Sequence, residues 1–364
     1  MSHIVNVLQR TTPKEEYLGF VDGFRFIAIL AVIFFHFRAP FQDRYPSVAF
    51  DDAVEVWPFM KTGGRGVDIF FVLSAFILGV NLFRNNKKQS WGSFYKRRLY
   101  RIYPPFFVAM LLIFCGNLWV TKEFAFRELF PSLLATLGYL TEILSPYVQL
   151  PVLCSVTWTL EIEIQFYLLF PLLGKVYGLS PKVRRGVLLA GIVLFTILSK
   201  VFPLPFVSVY DFLPLFFAGM LLADLYFFQV GTDFPPFFLF VVAISSFALI
   251  FYCIPAISVN LPGALVWPFV LFLFFFCCVR NHVLISLLSK RIITLIGGMC
   301  YSIYLTHASV ISLCAKYMGT RPICGVPFLD RTFWFSILLC FILIVAVFFY
   351  VFIEKPFMTA KRNY

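Results

Sequence analysis

Charged residues are scarce in this sequence. Only 13% of the 364 residues are charged, whereas 61% are hydrophobic, and a soluble domain typically has about 25% charged residues. A soluble fold cannot bury that much apolar surface, so the composition excludes a soluble globular enzyme and a disordered chain. A membrane β-barrel is also disfavoured, because its strands alternate polar and apolar residues and these apolar runs are continuous. The composition therefore predicts an all-α, polytopic integral membrane protein.

Several catalytic motifs are also missing. The sequence contains no G-x-x-x-x-G-K-[ST] loop, no G-x-S-x-G elbow, no H-x-x-x-x-D and no H-E-x-x-H, which disfavours P-loop hydrolysis, a serine-hydrolase site and a zinc helix. The nine cysteines form no C-x-x-C and no Cys/His ligand spacing, so we expect no metal. Cys154 and Cys324 are the only cysteines that we place in outer loops, and whether they form a disulfide stays open.

Ten apolar stretches are long enough to cross the hydrocarbon core of a membrane. A weaker candidate, 129–144, is expected to be interfacial or re-entrant. The polar start of the chain does not resemble a cleavable signal peptide. We therefore expect a cytoplasmic segment (1–19), one transmembrane domain (20–353) and a cytoplasmic tail (354–364). The predicted spans are 20–37, 67–83, 104–120, 156–174, 186–202, 210–228, 236–254, 263–279, 292–317 and 332–353.

The net charge of +12 comes from 30 basic and 18 acidic residues. With the N-terminus inside, 19 of the Lys and Arg residues fall on the inner side, 10 fall on the outer side, and Arg25 lies in the first span. This bias predicts that both termini are cytoplasmic. Membrane topology thus explains most of the basic excess, and no nucleic-acid partner is needed.

Ionisable residues within spans are functional candidates, because each costs several kcal/mol unless it is paired or faces water. Asp22 and Arg25 lie three residues apart on one helix face of span 1, where they can form a local ion pair. His36 lies 11 residues beyond Arg25, or ~16 Å along a helix, in the outer half of the membrane. It can act as a general base or only bond a backbone carbonyl.

Two carboxylates and a second histidine fall at a similar depth. Glu161 and Glu163 open span 4, but two residues apart they cannot face one cavity, so one is expected at a helix interface. Glu163 lies near the predicted depth of His36, where a carboxylate could orient an imidazole. His307 also falls in the outer half, and Asp68 lies at the outer end of span 2.

The densest basic cluster, Lys96–Pro104, lies on the inner side of span 3. Arg98 and Arg101 share a helix face, and paired guanidinium groups bind phosphates in a bidentate manner. The cluster can therefore hold the phosphates of a cytoplasmic cofactor, or it can be a positive-inside anchor at lipid headgroups.

Six segments, in order along the chain, resemble the motifs of one family. They are Asp22–Arg25 with His36 (D-G-L-R and Arg-x10-His), Gly66–Phe76 (G-V-D-x-F-F-V-L-S-G-F), Arg98–Arg101 with Pro104 (R-x-x-R and R-I-x-P), Trp158–Glu163 with Phe166, Tyr167 and Pro171 (W-S-L-x-x-E-x-x-F-Y-x-x-x-P), Tyr301–His307 (S-Y-S-I-Y-L-x-H) and Ile353–Pro356 (E-[RK]-P). Together they resemble the membrane-bound acyltransferase family 3, bacterial inner-membrane enzymes that O-acylate cell-envelope sugars. Ala75 replaces a usual Gly, Thr159 a Ser and Phe24 a Leu, and no charged group is lost.

The resemblance implies an O-acyltransferase that takes an acyl group, usually acetyl from acetyl-CoA, from the cytoplasm. It transfers the group to a hydroxyl of a lipid-linked or polymeric glycan at the outer side of a bacterial inner membrane. By analogy we favour an O-antigen or lipopolysaccharide sugar. We expect the standalone form without an extracytoplasmic hydrolase-like domain, acyl-CoA, the glycan and membrane lipid as partners, and no metal or nucleic acid.

We expect His36 to be the base, with Glu163 orienting it, while Arg25, Arg98 and Arg101 hold the CoA phosphates. Direct transfer and a transient acyl-histidine both stay open. A transporter that performs no chemistry, and an acyltransferase of another family that acts on lipid or protein, are the alternatives. Supporting roles are expected for Asp22, Asp68, Ser74, Trp158, Tyr167, Tyr304 and His307.

Overall fold

The structure, a computed structural model, describes residues 17–42, 62–85, 90–122, 124–253, 260–317 and 327–359. These residues form a bundle of α-helices and contain no strand. The helices are α1 Gly19–Gln42, α2 Gly66–Arg84, α3 Trp91–Gly116, α4 Phe126–Leu137, α5 Thr141–Leu144, α6 Trp158–Leu173, α7 Pro181–Val201, α8 Val209–Phe227, α9 Pro236–Ala248, α10 Leu261–Arg280, α11 His282–Leu288, α12 Arg291–Gly298, α13 Cys300–Tyr317, α14 Pro327–Phe349 and α15 Lys355–Thr359.

Six helical stretches of the described chain are long and apolar enough to cross a membrane, and the bent pair α12–α13 makes a seventh if it counts as one span. The prediction of an all-α polytopic membrane protein is therefore confirmed. The six stretches are Gly19–Phe37, Gly63–Arg84, Trp91–Val120, Val209–Phe227, Leu261–Arg280 and Thr332–Met358.

The other three predicted spans coincide with α6, α7 and α9. Helix α6 has only 16 residues, α9 has 13 before it continues as a π-helical turn, and α7 carries charged residues such as Arg184 and Arg185. Helix α4, which overlaps the weak candidate 129–144, has 12 residues, or ~18 Å, and is too short to cross. The count of ten spans, the side of each terminus and the three-part division of the chain stay predictions.

Helix α2 lies at the centre of the bundle and packs against α1 and α8. In its apolar window 78% of residues are buried, against 28% for α14, which therefore lies at the rim. The contact with α8 depends on Gly219, because a Cβ there would lie 2.2 Å from the carbonyl oxygen of Val72. Ala75 of α2 faces the same glycine, so the methyl group at this position fits against α8.

A buried ion pair joins α7 to α8. Arg184 donates to Asp224, whose second oxygen accepts from Arg185 Nε at 2.5 Å. The Arg184 side chain is 2% exposed and that of Asp224 is not exposed, whereas Arg185 is 30% exposed. Two of the charges in the predicted inner segment 175–185 therefore hold helices together.

The predicted span 292–317 is broken by a bend of 68° between α12 and α13. Helix α12 approaches α1 very closely at Gly297, where a Cβ would lie 1.8 Å from the carbonyl oxygen of Asp22. The bend thereby brings the start of α13, at Cys300, beside Arg25 of α1.

Candidate active site

One cavity of about 110 Å³ brings together five helices: α1, α2, α3, α6 and α13. The α2 residues that line it run from Val67 to Ile77, a distance of ~15 Å along the helix axis. The cavity is therefore elongated along the direction in which α2 runs. Seven predicted site residues line it, namely Arg25, Ser74, Arg98, Arg101, Glu163, Tyr167 and Tyr304.

The three arginines come from two helices. Arg25 Nη1 donates to Asp22 Oδ1 at 2.6 Å, and this carboxylate is 1% exposed, so the predicted local ion pair is present. The Arg98 guanidinium lies over the rings of Tyr167 (5.3 Å) and Phe94 (5.8 Å), where cation–π contacts hold it. Neither Arg98 nor Arg101 forms an ion pair with any described residue, so both guanidinium groups are available to an anionic ligand.

Glu163 is the acidic residue of the cavity lining. Its Oε1 accepts from Ser74 Oγ at 2.5 Å and from the Tyr167 hydroxyl, which lies one helical turn further along α6. These two donors, one on α2 and one on α6, fix the carboxylate at mid-length in the cavity.

His36 and His307 form a pair beside this cavity. His36 Nδ1 lies 3.3 Å from His307 Nε2 and 2.9 Å from the Val32 carbonyl oxygen. His307 Nδ1 lies 2.8 Å from the Tyr304 carbonyl oxygen. A carbonyl oxygen can only accept, so Nδ1 carries the proton in both rings. Nδ1–H of His36 donates to Val32 and also faces the unprotonated Nε2 of His307, which can accept from it. In the neutral pair this tautomer leaves Nε2 of His36 with its lone pair available as a base.

No hydrogen bond joins Glu163 to His36 in the described structure, so the expectation that Glu163 orients His36 stays a prediction without a contact to support it. The hydrogen bonds of Glu163 go to Ser74 and Tyr167, whereas those of His36 go to Val32 and His307. Helix α6 is oriented so that Glu163 faces α2, where Ser74 donates to it. Whether Glu163 is catalytic stays a prediction, and the geometry gives the orienting contact to His307.

Tyr304 connects the cavity to the histidine pair. It lines the cavity, and its ring centroid lies 5.7 Å from that of His307. Its hydroxyl donates to the Val156 carbonyl oxygen at 2.8 Å and lies 2.5 Å from Thr159 Oγ. A ligand that extends along the cavity as far as Tyr304 therefore lies next to His307.

Two other predicted residues lie outside the cavity lining. Asp68 is buried and accepts from Trp267 Nε1 at 3.0 Å and from Arg65 Nη1 at 3.4 Å. Trp158, at the start of α6, packs on Phe212 with ring centroids 5.7 Å apart. Both contacts join helices, so the structure favours packing roles for these two residues.

Glu161 and Glu354 were not predicted as site residues, yet both are buried and bonded. Glu161 accepts from the backbone N–H groups of Glu142 (3.0 Å) and Ile143 (3.3 Å), which fits the expected interface position. Glu354 accepts from the N–H (3.1 Å) and the hydroxyl (2.5 Å) of Ser302. The signal for Glu354 was its place in the resembling Ile353–Pro356 segment.

Cys154, by contrast, is a buried free thiol in the described structure, and Cys324 lies outside the described residues. Among the described residues, no group of three or more His, Cys, Asp or Glu side chains is placed to hold a metal ion.

Residues 18–351 match the profile of acyltransferase family 3, described as "Acyltransferase domain". The match covers most of the chain, which therefore belongs to this family, and the predicted family is confirmed.

Curated relatives align with parts of the chain. A protein named "Regulator of hypoxia-inducible factor 1" from Caenorhabditis elegans is 29% identical over 50% of this chain and 39% of its own length. "Peptidoglycan O-acetyltransferase OatA" from Listeria monocytogenes is 26% identical over 45% of this chain and 25% of its own length. "O-acetyltransferase OatA" from Staphylococcus aureus is 27% identical over 44% and 25%, respectively. The chain thus spans well under half the length of these relatives, and no solved structure matches it.

Proposed function

We propose that this protein transfers an acetyl group from cytoplasmic acetyl-CoA to a hydroxyl of a cell-envelope glycan at the outer side of a bacterial inner membrane. An O-antigen or lipopolysaccharide sugar is the favoured acceptor. The observation that supports this proposal is the cavity. Its lining includes guanidinium groups that can bind phosphates and Tyr304, whose ring lies next to that of His307. Family membership and the O-acetyltransferase names of two relatives support the same reaction class.

The length of the cavity suits an acyl-CoA. Arg25, Arg98 and Arg101 hold the phosphates of CoA, since fork-shaped guanidinium groups match phosphate oxygens. The ~15 Å of α2 along the cavity is about half the thickness of a ~30 Å hydrocarbon core. The pantetheine arm can extend over that distance and bring the thioester near Tyr304.

His36 is the general base in this mechanism. Its Nε2 removes the proton from the acceptor hydroxyl, and the hydroxyl oxygen attacks the thioester carbonyl directly. The CoA thiolate then leaves and takes the proton from His36. The Val32 carbonyl oxygen selects the tautomer that the base needs, because it can only accept from Nδ1–H of His36. His307 is a positioning residue, because its Nε2 is a second acceptor for the same N–H and helps to hold the imidazole ring in place.

Whole-cell glycan acetylation tests the base. In His36→Ala, with expression verified, we expect acetylation to be lost, while the exposed His282→Ala stays active and serves as the matched control. Undiminished acetylation in His36→Ala contradicts the assignment.

His307→Asn tests the positioning role. The shorter amide keeps a donor near the Nδ1 position but cannot reach His36. The purified variant is therefore expected to have a lower kcat with an unchanged Kd for acetyl-CoA. If the Kd rises in parallel, His307 supports the donor site instead.

A further inference from the structure

The second carboxylate oxygen of Glu163 has no role in the mechanism above. Both hydrogen bonds of this side chain end on Oε1, one from Ser74 and one from Tyr167. No described residue donates to Oε2. Glu163 lines the cavity, so Oε2 is an acceptor that a ligand can reach.

A carboxylate is unexpected in a cavity that binds phosphates. Its negative charge opposes an anionic ligand and partly neutralises the guanidinium groups. A site for a purely anionic ligand is better without it. Its presence therefore indicates a ligand that brings N–H or O–H donors as well as phosphates.

The position of Glu163 identifies the part of the ligand concerned. Thr159, Glu163 and Tyr167 lie four residues apart on α6 and all line the cavity, at intervals of ~6 Å. Tyr167 carries the Arg98 guanidinium on its ring, and Thr159 bonds Tyr304. Glu163 lies between the level of the arginines and the level next to the histidine pair.

We propose that Glu163 Oε2 accepts a hydrogen bond from an amide N–H of the pantetheine arm and so makes the cavity selective for amide-bearing thioester donors. The inference rests on the proposed function, because it takes acyl-CoA as the donor. The amide groups of the arm lie between the phosphates and the thioester, which is the order that the cavity requires. Ser74 and Tyr167 hold the carboxylate in place for this contact.

Glu163→Gln is an informative substitution because it keeps the shape of the side chain. Ser74 and Tyr167 both donate to Oε1 in the native side chain, and we expect the Gln oxygen to take that place, so that the NH₂ group faces the cavity. The substitution thus replaces an acceptor by a donor that faces another donor. It also removes the negative charge beside the arginines.

The test compares two ligands on the full-length protein in detergent by calorimetry. Acetyl-CoA has the pantetheine arm, and adenosine 3′,5′-bisphosphate has only the phosphate-bearing end. In Glu163→Gln we expect the Kd of acetyl-CoA to rise by about 10- to 100-fold, the range for a hydrogen bond to a charged group. The Kd of the bisphosphate stays unchanged or falls. Glu161→Gln is the matched control, because Glu161 bonds backbone N–H groups and does not line the cavity, and we expect it to change neither Kd.

The other outcomes overturn the inference in distinguishable ways. Tighter binding of both ligands makes Glu163 only a counter-ion of the arginines. Weaker binding of both ligands means that the substitution has damaged the cavity as a whole and that Glu163 is structural. If the Kd of acetyl-CoA is unchanged in Glu163→Gln, Glu163 accepts no hydrogen bond from the pantetheine arm. If the unmodified protein binds neither ligand, the proposed donor itself is wrong, and the inference fails with it.

Discussion

Two pairs of basic residues on α3 allow a role in phosphate binding to be distinguished from a role in membrane anchoring. Arg98 and Arg101 line the cavity, whereas Lys96 and Arg97 are exposed on the same helix. Removing either pair lowers the net charge by two units in the same segment. We expect Arg98→Ala/Arg101→Ala to lose acetyl-CoA binding and Lys96→Ala/Arg97→Ala to retain it.

The magnitude follows from the contacts available to each guanidinium. A hydrogen bond to a charged group contributes about 1.5–3 kcal/mol, so two arginines on phosphates contribute about 3–6 kcal/mol if their effects add. Every 1.4 kcal/mol is a factor of ten in Kd, which gives a loss of about 10²- to 10⁴-fold. Lysine at both positions restores the positive charge but not the fork-shaped guanidinium group that binds a phosphate through two hydrogen bonds. We expect intermediate binding, with Arg98→Lys the more costly single change because Arg98 also lies over two aromatic rings.

Isothermal calorimetry of the purified proteins with acetyl-CoA measures these differences. The salt concentration must be held constant, since exposed charges are screened within about 10 Å at 0.1 M salt. Equal Kd values for the two double-Ala variants refute the reasoning, because a general loss of positive charge then explains the effect. Unchanged binding in Arg98→Ala/Arg101→Ala makes both residues topological anchors.

Two further predictions concern stability and thiol reactivity. Asp224→Asn leaves Arg184 buried without its counter-charge, at a cost of about 3–5 kcal/mol. Arg185→Gln removes a partly exposed partner that contributes about 1 kcal/mol or less. We therefore expect the thermal unfolding midpoint in detergent to fall far more in Asp224→Asn than in Arg185→Gln, and similar falls in the two variants contradict this. Burial raises the pKa of the Cys154 thiol to about 11, so at pH 7.5 only roughly one thiol in 3,000 is ionised, and maleimide labelling of its peptide, read by mass spectrometry, should be slow and rise with pH. Labelling that stays absent at high pH until a reductant is added indicates a disulfide instead.

The residues of the cavity were accessible from the sequence because charge in an apolar segment is conspicuous. Arg25, Arg98, Arg101 and Glu163 each interrupt or border a hydrophobic run, and the structure brings all four to one cavity. Their pairing was less accessible. Counting residues along a helix gives depth, but it does not tell which neighbouring helix a side chain faces. Depth alone paired Glu163 with His36, whereas its hydrogen bonds come from Ser74 and Tyr167.

The break in the predicted span 292–317 was hidden for a different reason. Hydropathy averages over a window and is insensitive to direction, so α12 and α13 merge into one apolar stretch. The Gly297–Gly298 pair was the local signal. Its meaning depends on α1, since the close approach at Gly297 is to the backbone of Asp22, a contact between residues far apart in sequence.

That break also bears on the order in which the protein can fold. The first backbone N–H groups of a helix have no partner within it, and in lipid each unpartnered group costs several kcal/mol. Near the start of α13 the N–H of Ser302 is satisfied by the carboxylate of Glu354, which is synthesised 52 residues later. Helix α13 can therefore enter the membrane early during synthesis, but its first turn gains this partner only after α14 has been made and has packed against it. The start of α13 lines the cavity through Cys300, Tyr301 and Tyr304, so in a nascent chain this wall of the cavity is fixed only after α14 has formed.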